Sequence, residues 1–202
     1  MNELVETRDD LLRDLRLPTA GENGRSSYPV LDSLVESGSR YVKDTRINLK
    51  NTLKSDHLSE KECALLAYAI AVNNANDRLR TAAAARARDA GATDEEIAEM
   101  AACASLLSAN NVLYRFRHFM ENSGGTTTYS ERQARIKMSI MARPVTGKLF
   151  FELASLAVSA VNGCEACVTS HEKSVRAAGA TEEQIFDAVR LAAVVTAAGK
   201  LL

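Results

Sequence analysis

Tryptophan is absent from this 202-residue chain, and tyrosine and phenylalanine together make up only 5% of it. That scarcity argues against a β-sandwich, whose strands favour aromatic and β-branched residues. Proline is almost missing as well, at Pro18, Pro29 and Pro144 only, which leaves room for long helices. No apolar run approaches the roughly 20 residues that a membrane helix requires. The acidic stretch from Met1 to Asp10 holds no apolar signal core, so no secretory peptide is expected. Neither sign of charge dominates: 25 basic residues face 26 acidic ones, for a net charge of −1. Such a balance builds no field for gathering nucleic acid or an anionic membrane. With no phosphate-cradling glycine loop and no flavin or haem signature, no tightly bound cofactor is expected either. The expected protein is cytoplasmic, with neither nucleic acid nor membrane as partner.

What the chain does hold is alanine, leucine and valine at helical spacing. Three capping boxes mark helix starts: Ser59 with Glu62, Thr93 with Glu96, and Thr181 with Gln184. Gly91 and Gly179 stand where helices end on a positive φ. Between these marks the pattern predicts helices at about 59–73, 76–90, 94–107, 109–121, 131–141, 146–161, 164–178 and 182–200. No strand-like alternation is read, so the fold class is all-α. Residues 1–37 read as an N-terminal extension, partly flexible, with a weak helix around Leu4, Leu11, Leu12 and Leu15 and a polar tether at Ala20–Ser27. Residues 38–202 read as one helical domain, whose halves are separated by a Ser123–Tyr129 loop.

That domain is internally repeated. Gly91-Ala92-Thr93 recurs as Gly179-Ala180-Thr181, an offset of 88 residues. The same offset pairs Leu65 with Leu153, Asn74 with Asn162, Arg88 with Arg176, and Ile97 with Ile185, without a gap. Two helical units, at about 59–110 and 147–202, therefore make up most of the chain.

The second unit carries chemistry that the first lacks. Cys164 and Cys167 form a Cys-x-x-Cys pair near a helix start, and His171 follows Cys167 by one helical turn. Glu152 lies on the preceding helix. Under the 88-residue offset, Glu152, Cys164, Cys167 and His171 fall on Ala64, Asn76, Leu79 and Ala83. All four reactive side chains are missing together while caps and packing positions persist, so packing does not require them. Without oxidising surroundings such a pair reads as redox or metal chemistry. Zinc is the weaker reading, because a carboxylate is an unusual structural ligand. The helix dipole favours a thiolate at Cys164, whereas the imidazole favours Cys167. Glu152 is placed to orient His171. Cys63 and Cys103 read as small core residues, and His57 and His118 as surface or structural ones.

The order Glu152, Cys164-x-x-Cys167, His171 resembles the AhpD group of the carboxymuconolactone decarboxylase-like superfamily. Flanking blocks carry the likeness too: Phe151-Glu152-Leu153, Ala157 to Cys164, and Asn110-Asn111-Val112-Leu113-Tyr114-Arg115. It extends over roughly Tyr41 to Leu202. The resemblance implies an all-helical subunit assembled as trimers or their multiples, which reduces hydroperoxides through a Cys164–Cys167 disulfide. It implies re-reduction by a dihydrolipoamide-type donor on a lipoyl-bearing acyltransferase, and electron transfer to a peroxiredoxin. Cys167 would then form the sulfenic acid, Cys164 would resolve it, and His171 and Glu152 would complete the proton relay. Close AhpD relatives carry a histidine between the cysteines, where this chain has Ala166. A general thiol–disulfide reductase and a non-catalytic redox sensor are the alternative readings.

Overall fold

The computed structural model describes residues 2–19, 25–124 and 128–202. Among them the secondary structure is helical throughout: α1 (Asn2–Asp14), α2 (Pro29–Glu36), α3 (Tyr41–Thr52), α4 (Glu60–Asn73), α5 (Asp77–Asp89), α6 (Asp94–Asn122), α7 (Thr128–Glu131), α8 (Lys148–Val161), α9 (Glu165–Ala177) and α10 (Glu182–Gly199). A 3₁₀ turn spans Ser139–Ala142. No described helix is long and apolar enough to cross a membrane.

The 88-residue offset holds to the residue. It maps α4 onto α8 and α5 onto α9 end to end, and the start of α6 onto the start of α10. Both copies use the same local devices. Thr93 and Thr181 close complete capping boxes with Glu96 and Gln184. Gly91 and Gly179 sit at φ 87° and 101°. Each lets the next amide, of Ala92 or Ala180, reach back to the carbonyl of Ala87 or Val175. That bond pattern ends a helix in a left-handed residue, which suits glycine.

α4 and α8 form the centre. α8 buries ten consecutive residues, Phe150 to Ser159, and α4 buries nine, Cys63 to Ala71, so each is covered on all sides. The amides of Asn73 and Asn162 exchange hydrogen bonds of 2.9 and 3.0 Å, tying the C-terminal ends of these two helices. The amino-terminal helices join the same core, with Leu11, Leu12 and Leu31 fully buried. Arg8 of α1 pairs with Asp32 of α2 at 2.7 Å, shielded from solvent. Of the Ala20–Ser27 stretch read as a tether, residues 20–24 lie outside the described residues; Ser26 donates from its amide to Asp32 at 2.8 Å.

Two sequence expectations are corrected. The helices predicted at 94–107 and 109–121 are one, because Ser108 bonds back to the Ala104 carbonyl at 2.9 Å and the helix runs on. The helix predicted at 131–141 does not form. Instead 132–138 is an extended strap, with Arg135 at φ 53°, leading into the 3₁₀ turn. No described residue from Thr128 to Leu149 is buried, so nothing would hold a short helix together there. Ala134, Ile136, Met138 and Ile140 are half-buried at every second position, the period of extended chain. Beyond the 3₁₀ turn the chain is tied to α6, where the buried carboxylate of Glu99 accepts from the amides of Val145 and Thr146 at 2.6 and 2.8 Å.

The connection from α3 to α4 is fixed to α10 by Asp187, which is buried. Its carboxylate accepts from Ser55 Oγ at 2.5 Å, His57 Nδ1 at 3.1 Å and Arg190 Nη2 at 2.8 Å. Burial opposes its charge, yet the Ser55 and His57 bonds and the Arg190 charge together hold the carboxyl below its usual range. A depressed folded pKa gives stability that is present above the unfolded value and lost as pH falls through the folded one. Asp187→Asn is therefore expected to cost about 1–3 kcal/mol at neutral pH. In urea titrations the gap from wild type should narrow steadily below the unfolded carboxylate pKa of about 3.9; a gap that stays constant into strong acid would contradict this.

Candidate active site

Cys164 is the N-cap of α9, at φ −98° and ψ 91°. Its counterpart Asn76 caps α5 with nearly identical backbone angles, −99° and 95°. There the side-chain carbonyl accepts the Leu79 amide at 2.9 Å. Cys164 makes no such bond, because its sulfur is joined to that of Cys167, the counterpart of Leu79. The first turn of a helix sets these two side chains side by side: the Cα atoms are 5.3 Å apart, within disulfide range. Gly163, at φ 66°, makes the tight turn that delivers Cys164 from α8.

One turn further along α9, His171 meets Glu152 of α8, with Nδ1 and Oε2 2.7 Å apart. Glu152 is only 7% exposed and points from the otherwise apolar centre of α8. A carboxylate so placed accepts the Nδ1–H hydrogen bond of a neutral imidazole and leaves Nε2 free as a base. The structure thus brings all four sequence-predicted residues into one place, Cys164 with Cys167 and Glu152 with His171.

Cys167 and His171 face a cleft of about 340 Å³, whereas fully buried Cys164 lies behind. α6 forms the opposite wall through Leu107, Asn110 and Tyr114, and the strap closes one side with Met138 and Met141. The volume falls in the range of ligand sites. Ala166 lines this cleft. His118 lies outside the cleft lining, with Nε2 3.3 Å from Glu165 and 3.1 Å from Asn122 Nδ2. Among the described residues, no group of three or more His, Cys, Asp or Glu is placed to hold a metal ion.

The twin of this cleft is closed. Leu79, Ala82, Ala83 and Val195 stand where Cys167, Ser170, His171 and Leu107 stand in the reactive cleft. They surround only about 30 Å³, because Leu15 just after α1 and Leu49 and Leu53 at the α3 end fill the space.

Wall residues such as Asn110, Tyr114, Met138 and Met141 were not singled out as functional from sequence. They come from other elements; Asn110 and Tyr114 stand in a block that carries the family likeness but had no role assigned, and Met138 and Met141 stand in none. One signal was available: under the offset Asn110 corresponds to Ala198, so the first copy has a polar residue where the second has none.

The remaining cysteines are core residues. Cys63 and Cys103 are buried and unpaired. Burial pushes the Cys103 thiol up to about 12, despite a contact to Ser155 Oγ at 3.5 Å, and raises that of Cys63 as well. After reduction, iodoacetamide at pH 8 should modify Cys167 and spare Cys63 and Cys103 in the native protein, and modify all four thiols in denaturant. Peptide mapping decides it, and native modification of Cys103 would be the contrary result.

The carboxymuconolactone decarboxylase family profile matches residues 42–121 and 131–202. A protein named alkyl hydroperoxide reductase AhpD from Anaeromyxobacter dehalogenans (strain 2CP-C) is 42% identical over 172 residues, 85% of this chain and 90% of its own. Proteins of the same name from Hyphomonas neptunium and Gluconacetobacter diazotrophicus are 40% and 38% identical, over 80% and 85% of this chain and 87% and 92% of theirs.

Proposed function

Because the chain belongs to the carboxymuconolactone decarboxylase family, and within it to the AhpD group, we propose that it is a dithiol peroxidase that reduces hydroperoxides at Cys167. The carrying observation is that Cys167 lines an open cleft beside a Glu152-oriented imidazole, with Cys164 within bonding reach behind it.

In the reduced protein His171 takes the Cys167 proton, and the thiolate attacks the terminal oxygen of the hydroperoxide. An S–O bond forms as the O–O bond breaks. The departing alkoxide takes the proton from His171 and leaves as an alcohol. Cys164 then attacks the sulfenic sulfur, its thiol proton leaves with the hydroxyl as water, and the disulfide closes. A dihydrolipoamide-type dithiol reopens it through a mixed disulfide and is itself oxidised to the cyclic disulfide. The place of Cys167 on the cleft wall and the full enclosure of Cys164 support this order over its reverse. The subunit is taken to act as a homotrimer in the cytoplasm, with a lipoyl-bearing acyltransferase as electron source and a peroxiredoxin as a further acceptor.

The test mixes reduced protein with cumene hydroperoxide, quenches by alkylation and follows Cys164–Cys167 disulfide formation by mass spectrometry, alongside turnover with dihydrolipoamide. One disulfide per peroxide consumed, and turnover sustained by dihydrolipoamide, are expected. Oxidation by small disulfides without any by hydroperoxide would instead identify a general thiol–disulfide reductase.

A further inference from the structure

The wall opposite Cys167 holds an unanswered polar atom. Asn110 is 5% exposed, and its side-chain oxygen is buried without a hydrogen-bond partner among the described residues. The amide nitrogen is spoken for: it donates to the Met138 sulfur at 3.1 Å. A thioether only accepts, so this contact sets the nitrogen towards Met138 and leaves the oxygen as the free end. Buried acceptors are nearly always matched, and Asn110 is among the residues that line the same cleft as Cys167 and His171. A donor brought in from that cleft would complete it.

We propose that Asn110 is a substrate-binding residue, whose side-chain oxygen accepts the O–H of the hydroperoxide and so holds the terminal oxygen facing Cys167. This rests on the peroxidase reading and names the group that recognises the peroxide. A hydroperoxide has one O–H, and it sits on the oxygen that the thiolate attacks. Fixing that proton on α6 directs the terminal oxygen towards sulfur and the O–R oxygen towards the imidazole on α9. During the step the S–O bond forms, the O–O bond breaks, and the alkoxide is protonated from His171. The proton held by Asn110 travels with the transferred oxygen and becomes the sulfenic hydroxyl, still bonded to the same acceptor. Cys164 then displaces that hydroxyl as water, supplying the second proton. The sum is one hydroperoxide and two thiols giving one alcohol, one water and one disulfide.

The twin cleft agrees. Asn110 comes from the first copy, and its equivalent in the second is Ala198; Glu152, Cys167 and His171 come from the second copy, and their equivalents in the first are Ala64, Leu79 and Ala83. Where the cleft has no sulfur and is filled, the acceptor is absent too.

The test uses Asn110→Leu, of similar shape without the acceptor, and Asn110→Asp, which keeps it. Reduced full-length proteins are oxidised in parallel by cumene hydroperoxide and by 2,2′-dithiodipyridine, a disulfide with no O–H, with thermal unfolding followed by circular dichroism. Loss of one hydrogen bond to the reacting group predicts a fall of about 10-fold or more in the hydroperoxide rate of N110L. Its dithiodipyridine rate should stay within a factor of about 3, and N110D should keep the wild-type ratio of the two rates. Equal losses with both oxidants, or a hydroperoxide rate in N110L like that of a reactive wild type, would overturn the assignment alone. A wild type that dithiodipyridine oxidises and hydroperoxide does not would overturn the peroxidase reading and this one with it.

Discussion

Exchanging Cys167 for serine is expected to abolish hydroperoxide consumption, a loss on the order of 10⁴-fold or more. A serine hydroxyl at this position stays protonated at neutral pH, and a single imidazole cannot make it a nucleophile comparable to a thiolate. Replacing Cys164 has a different signature. Cys164→Ser should still consume one equivalent of peroxide and then stop, because the sulfenic acid at Cys167 lacks the neighbour that condenses with it. Dimedone traps that acid, and mass spectrometry locates it. Label at Cys167 in the Cys164→Ser protein supports the order given above; label found solely at Cys164 in the Cys167→Ser protein reverses it. The contrast rests on position, since Cys167 forms part of the cleft wall and Cys164 is sealed behind it.

Removing the carboxylate that holds His171 should have the next largest effect. Glu152→Ala is expected to slow the first oxidation by about 10²-fold. With the 2.7 Å bond gone, the imidazole loses both its tautomer and its orientation. Glu152→Gln should lose less, because an amide oxygen can still accept the Nδ1 proton. If the pair acts as one unit, Glu152→Ala combined with His171→Ala should be no slower than His171→Ala alone. Quenched-flow rates on the four proteins measure this, and additive losses would show that Glu152 and His171 act separately.

The parts legible in the sequence were those written in local chemistry. Capping hydroxyls, the paired glycines and the 88-residue offset located the repeated helices closely, because each depends on backbone groups within a few residues. The quartet was legible because the first copy supplied a control: four coincident replacements on an unchanged scaffold. Other features depend on contacts far apart in sequence. The strap was misread because helix was the prevailing pattern, and its alternation of Ala134, Ile136, Met138 and Ile140 spans only a few residues. Ser108 looked like a break in α6, although a hydroxyl can bond back within a helix. The cleft walls drew on three elements whose approach no local pattern announces, and so Asn110 appeared in a sequence block without a role.

The filled twin of the cleft has a wider consequence. A peroxide-reducing thiol needs an opening to solvent, and an opening removes packing that a small helical protein would otherwise have. Duplication lets one chain meet both needs in different places. The cleft filled by Leu15, Leu49 and Leu53 gives its space to packing. The cleft beside the thin, unburied strap keeps its doorway. Opening and packing are thus divided between two clefts of common design, each built from helices of both copies.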